Sequence, residues 1–170
     1  MTLKVSNRAE GVSPFIVMDV MRAAYEREVL GNDIVHLEVG QPSTGAPRGV
    51  IEAAKSALDR DRIGYVDALG IPPLRERIAR HYRDAYGVDI ASERVVLTQG
   101  SSGAFLLSFL ASFDPGDRVA LAAPGYPAYR NILSALGFEP VDLLADLEHR
   151  FQPTVELLQA AGSVAGLIVA

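Results

Sequence analysis

From Arg94 onward, short β-branched apolar runs alternate with helix-period stretches of about ten residues, and few folds accept that order. The runs are "RVVLT" (94–98), "RVALAA" (118–123), "PVDLL" (140–144) and "GLIVA" (166–170). Between them, helices are expected over Gly100–Phe113, Ala128–Leu136 and Val155–Ala161, with a reverse turn at "DPGD" (114–117). Continuous apolar strands are those buried on both faces, and strand–helix–strand order is the crossover of a parallel sheet. The expected fold is therefore α/β, a three-layer αβα arrangement around a mostly parallel sheet, preceded by an N-terminal helical segment.

That earlier segment carries its own punctuation. Ser13-Pro14 reads as N-cap and first residue of a helix that runs through Val17, Val20, Met21, Ala24 and Tyr25 and stops near Gly31-Asn32. "IVHLEVG" (34–40) reads as a short buried strand and "QPSTGAP" (41–47) as a loop. Pro47 opens a helix with Val50, Ile51, Ala54 and Leu58 on one face. A loop containing Gly64-Tyr65 and Gly70 then leads to a helix opened by Pro73 and closed by Gly87, with Leu74, Ile78, Ala79 and Tyr82 on its apolar side.

At 170 residues, 49% hydrophobic and 22% charged, the composition is that of a globular chain with a real core. The net charge of −5 and the scattered basic residues leave no electrostatic footprint for nucleic acid. No apolar stretch approaches the roughly 20 residues of a membrane-spanning helix. His36, His81 and His149 are far apart in sequence and belong to no ligand motif, so no metal is expected and each reads as a surface or satisfied core residue. The absence of cysteine removes disulfides, thiolate metal sites and a cysteine nucleophile, and fits a cytoplasmic address.

The junction "VVLTQGSSGAF" (95–105) holds the first chemistry. A helix's first turn leaves backbone N–H groups unpaired at the positive end of its dipole. Gly100, Ser101, Ser102 and Gly103 there permit two readings: a serine N-cap, or a cradle for a phosphate. The P-loop and Gly-x-Gly-x-x-Gly patterns are both missing, so a phosphate would belong to another ligand. "APGYPAY" (123–129) puts Tyr126 beyond the carboxyl end of the next strand, where ligands of open α/β sheets bind.

In order and spacing, "VGQPSTGAP", "GYVDALGIPPLRERIARHY", "VVLTQGSSGAF" and "DPGDRVALAAPGYPAY" resemble the N-terminal half of the pyridoxal-phosphate-dependent aminotransferases of classes I and II, the aspartate aminotransferase-like group of fold type I. The likeness covers the chain from about Ser13 onward. It implies pyridoxal 5'-phosphate as cofactor, with Gly100, Ser101 and Ser102 in the phosphate-binding turn and Tyr126 stacked on the pyridine ring. Tyr65 matches a tyrosine that reaches the neighbouring subunit's phosphate, which implies a homodimer with shared active sites. Gly40 matches the glycine of a "G-x-P" loop beside the substrate carboxylate. The implied substrates are an amino acid and a 2-oxo acid. Residues 1–46 would contribute to the small domain and active-site entrance, and 47–170 would begin the large cofactor-binding domain.

No catalytic residue can be nominated. The family's chemistry needs a Schiff-base lysine, and the chain holds only Lys4, near the N-terminus, and Lys55, on a helix away from every motif. The chain also stops inside the apolar run Leu167–Ala170, so the expectation is an incomplete large domain, inactive alone, whose parent is the enzyme. Alternatives are another fold type I enzyme, a lyase or synthase, or a non-catalytic aminotransferase-like sensing or binding domain.

Overall fold

In a computed structural model, residues 4–170 are described. They divide into two compact units, one formed by Gln99–Ala170 with the described residues up to Asp19, the other by Val20–Thr98. The element order is α1 (Asn7–Glu10), α2 (Ile16–Val29), α3 (Arg48–Arg60), α4 (Pro72–Tyr86), α5 (Gly100–Ser112), β1 (Arg118–Ala123), α6 (Pro127–Leu136), β2 (Glu139–Leu144), α7 (Val155–Ala160) and β3 (Gly166–Ile168). The fold is α/β with a parallel sheet, as the alternation predicts.

The sheet has three strands in the order β2-β1-β3, both pairings parallel. β1 is central, and Val119 and Ala120 are accordingly 0% exposed. On one face Val119 and Leu121 meet Phe109 of α5, Leu133 of α6 and Phe138, closing a core that Phe105, Phe113, Tyr129, Ile132 and Ile168 extend. A buried Leu or Phe side chain contributes roughly 1.5–3 kcal/mol relative to exposure, so this cluster is the main stabilising feature of the unit. At the amino ends of the strands, Arg118 pairs with Glu139 across the register (3.2 Å) and donates to the Ser163 carbonyl (2.7 Å). Arg130 on α6 also pairs with Asp142 of β2. α6 stops at Gly137, whose left-handed conformation (φ +85°) lets its N–H return to the Leu133 and Ser134 carbonyls.

In the other unit, α4 runs from a proline start to Gly87 as expected. Arg75 donates from Nε to the Ser92 and Val95 carbonyls (3.2 and 2.9 Å), tying α4 to the 3-10 turn Ser92–Arg94. Asp67 folds the loop after Tyr65 by accepting the Leu69 N–H (2.8 Å).

Three expectations change. Residues 94–98 form no strand: the Arg94 and Val95 amides enter the 3-10 turn, and Leu97 donates to the Leu69 carbonyl (3.0 Å). Residues 34–40 form none either, and Val35 and Leu37 are largely exposed. A strand exists only beside a partner that takes its ladder of N–H and C=O groups, and among the described residues neither segment has one. Finally, α2 starts at Ile16 rather than Pro14, and a short α1, capped by the Ser6 hydroxyl, precedes it.

Candidate active site

The first turn of α5 sits where the Gly-Ser-Ser-Gly junction was read. Gln99 occupies the N-cap without a side-chain bond to the turn, so neither Ser101 nor Ser102 is the N-cap; both lie inside the helix, exposed. Gly100 is left-handed (φ +72°), with open space where a Cβ would project. No acidic residue stands in this turn. The helix therefore begins with a positive dipole end, small side chains and no acid in its first turn, a combination suited to an anion.

Tyr126 arrives at the same unit's surface just after β1. The Ala123–Pro124 peptide is cis, and a Cβ on Gly125 would stand 2.5 Å from the Ala122 carbonyl oxygen, so the chain turns here only with glycine. Tyr126 is the N-cap of α6, followed by Pro127 in the first turn, and is 49% exposed. Ser102 and Tyr126 line one cavity of about 320 Å³, completed by Phe15, Ala128, Asn131, Ile132 and Ala135. Tyr126 also borders a second cavity of about 310 Å³ at the carboxyl ends of β1 and β3, with Leu121, Ala122, Tyr129, Phe151 and Ile168 among its walls. The two motifs, 24 positions apart, thus meet at one hollow.

Sequence reasoning missed Phe15 and Asn131. Phe15 stands edge-on to Tyr126 (centroids 6.2 Å, planes 88°), and Asn131 Nδ2 donates to the Ser13 carbonyl at 3.3 Å. Both rest on contacts more than a hundred residues apart, which no local pattern encodes.

Gly40 and Tyr65 belong to the unit of Val20–Thr98. Gly40 is exposed with nothing within 4 Å of a Cβ position, and the Tyr65 ring is fully exposed. In that unit His36 bridges two carboxylates, Glu38 through Nδ1 (2.6 Å) and Glu28 of α2 through Nε2 (3.0 Å). The hydrogen bond to Glu38, then that to Glu28, raises the His36 pKa from 6.5 to about 9, and Glu38 is held below its ordinary value in return. Lys55 lies exposed on α3. No helix among the described residues is long and apolar enough to cross a membrane.

Comparison with known proteins decides what this arrangement belongs to. A family model described as aminotransferase class I and II matches residues 32–168. The chain belongs to that family. It is 55% identical over 158 residues to the valine–pyruvate aminotransferase of Mycobacterium tuberculosis, a match covering 93% of this chain and 40% of the relative. The crystal structure of an aminotransferase from M. tuberculosis superposes with a TM-score of 0.93 at 52% identity, over 99% of this chain and 43% of that one. Thermus thermophilus aspartate aminotransferase with maleate gives 0.88 at 30% identity, over 95% and 42%. The chain spans about two fifths of the length of the relatives it matches.

Proposed function

We propose that this chain is the phosphate-binding and ring-covering part of a pyridoxal-phosphate-dependent aminotransferase that moves an amino group between an amino acid and a 2-oxo acid. The observation that carries the proposal is the shared cavity of Ser102 and Tyr126, residues nominated from two separate motifs. The residues present fit the group. The acid-free first turn of α5, built from the small residues Gly100, Ser101 and Ser102 at the positive end of the helix dipole, suits a phosphate dianion, with backbone amides and a serine hydroxyl as donors. The half-exposed Tyr126 ring suits one face of a flat heteroaromatic.

When bound, pyridoxal phosphate supplies an electron-withdrawing ring that stabilises negative charge at the substrate's α-carbon. The protein's share is orientation. Ser101 and Ser102 anchor one end of the group, and Tyr126 fixes the plane of the ring and keeps water from that face. Gly40, without a side chain, leaves its backbone open to a substrate carboxylate. Tyr65, fully exposed, is available to a second copy, in keeping with a homodimer whose sites are shared. Moving the proton falls to a lysine other than Lys4 and Lys55, and residues 1–46 and 47–170 are assigned to the small-domain and large-domain sides of the active site.

The relative at 55% identity is named for valine and pyruvate, and that favours a neutral amino donor. The test is an assay of the whole protein that contains this chain. Alanine formation from valine and pyruvate is expected to outpace transamination of aspartate with 2-oxoglutarate; the reverse order would remove the substrate assignment, and no transamination would remove the function.

A further inference from the structure

Tyr126 touches two aromatic rings among the described residues, and both meet it edge-on. One is Phe15; the other is Tyr129, three positions along α6, at 5.3 Å between centroids and 83° between planes. Tyr126 is the N-cap of α6 and Tyr129 lies in its first turn, so the helix start holds Tyr129 beside Tyr126. Its amide returns to the Tyr126 carbonyl at 3.2 Å.

Tyr129 is in turn held from the other side. Phe105 of α5 meets it edge-on at 4.8 Å and 78°, and Phe105 continues to Phe109 (5.8 Å), a buried member of the sheet-face core. Centroid separations of roughly 4.5–7 Å with crossed planes are the favoured geometry for such pairs. An unbroken chain of ring contacts therefore runs from the core through Phe105 and Tyr129 to the exposed Tyr126. Of these rings Tyr126 is the most exposed, at 49%.

We infer that Tyr129 is a positioning residue that sets the ring plane of Tyr126 at the candidate site, locking an otherwise half-free side chain to the core of the sheet. This deepens the proposed function and rests on it for the identity of the ligand. A tyrosine ring free to rotate about its side-chain bonds would lose part of its stacking energy to ordering each time a flat ligand bound; a ring already braced loses less. The contacts that brace Tyr126 are made by the ring of Tyr129, so phenylalanine should serve equally well at that position.

In the whole protein that contains this chain, labelling with 3-fluorotyrosine gives a set of fluorine resonances in which Tyr126→Phe identifies the one that matters. In Tyr129→Leu the Tyr126 resonance is expected to move toward its position in the unfolded chain, while Tyr129→Phe leaves it in place. Titration with pyridoxal phosphate is expected to shift the Tyr126 resonance in the unaltered protein, with Tyr129→Leu binding about 2- to 10-fold more weakly, the loss of one aromatic pair. A folded Tyr129→Leu variant with an unmoved Tyr126 resonance would overturn the inference. If that variant does not fold, cross-relaxation between the two rings in the unaltered protein decides: its presence together with an unmoved resonance in Tyr129→Phe supports the inference, and its absence overturns it. Failure of the unaltered protein to respond to pyridoxal phosphate would overturn the cofactor assignment separately, because the Tyr126 resonance of the ligand-free protein still reports on Tyr129.

Discussion

Tyr126 and Ser102 owe their meeting to small residues around them. Gly125 allows the turn that brings Tyr126 out of β1, and Gly100 supplies the left-handed start of α5 that leaves Ser101 and Ser102 in the first turn. These were legible because glycine and serine at a helix start, and glycine between a strand and a helix, have few uses. His36 was not legible: nothing in sequence pairs it with Glu28, eight positions earlier, until the helix end and the following segment bring them to 3.0 Å. Its raised pKa sets the sign of a pH effect. The contribution of the bridge is complete below the ordinary histidine value of 6.5 and is lost as pH climbs through about 9. On the acid side it fades as Glu38, with its lowered pKa, finally protonates. A proton NMR titration of His36 is expected to give a midpoint near 9, and Glu38→Gln should return it toward 6.5; a midpoint near 6.5 in the unaltered chain would contradict the bridge.

Among the elements, those with local stop and start signals fall close to where the sequence puts them. α4 and α6 begin at prolines and end at glycines, and β1 follows Arg118 with an unbroken apolar run. The buried face of α5 was less legible. The core takes Phe105, Phe109 and Phe113 and leaves Leu106, Leu107 and Leu110 exposed. A helix that is apolar all round has no polar stripe to say which side turns inward. The unformed strands at 34–40 and 94–98 have the same origin at the level of the sheet, because a strand's existence depends on a partner and not only on its own residues. Where packing is complete, energetics follow. Leu133 on α6 is 0% exposed at the centre of the cluster, so Leu133→Ala is expected to cost about 2–5 kcal/mol in urea unfolding, whereas Leu107→Ala on the exposed side of α5 should cost well under half of that. Equal losses at the two positions would contradict the assignment of the α5 face.

At the scale of the whole molecule, the decisive fact is coverage. The chain matches about two fifths of the length of its aminotransferase relatives while matching nearly all of itself. Within that length it has a phosphate-suited helix start and a ring-suited tyrosine, but its two lysines, Lys4 and Lys55, lie apart from both motifs in sequence. The proposed function therefore divides the labour, giving anchoring and ring placement to Gly100–Ser102 and Tyr126 and the covalent step to neither Lys4 nor Lys55. The most direct test is an absorbance spectrum of the whole protein with pyridoxal phosphate, before and after borohydride reduction, followed by mass mapping of the labelled lysine. A cofactor band that reduction fixes to a lysine other than Lys4 or Lys55 is expected; no band, or a label on either of those two, would show this division of roles to be wrong.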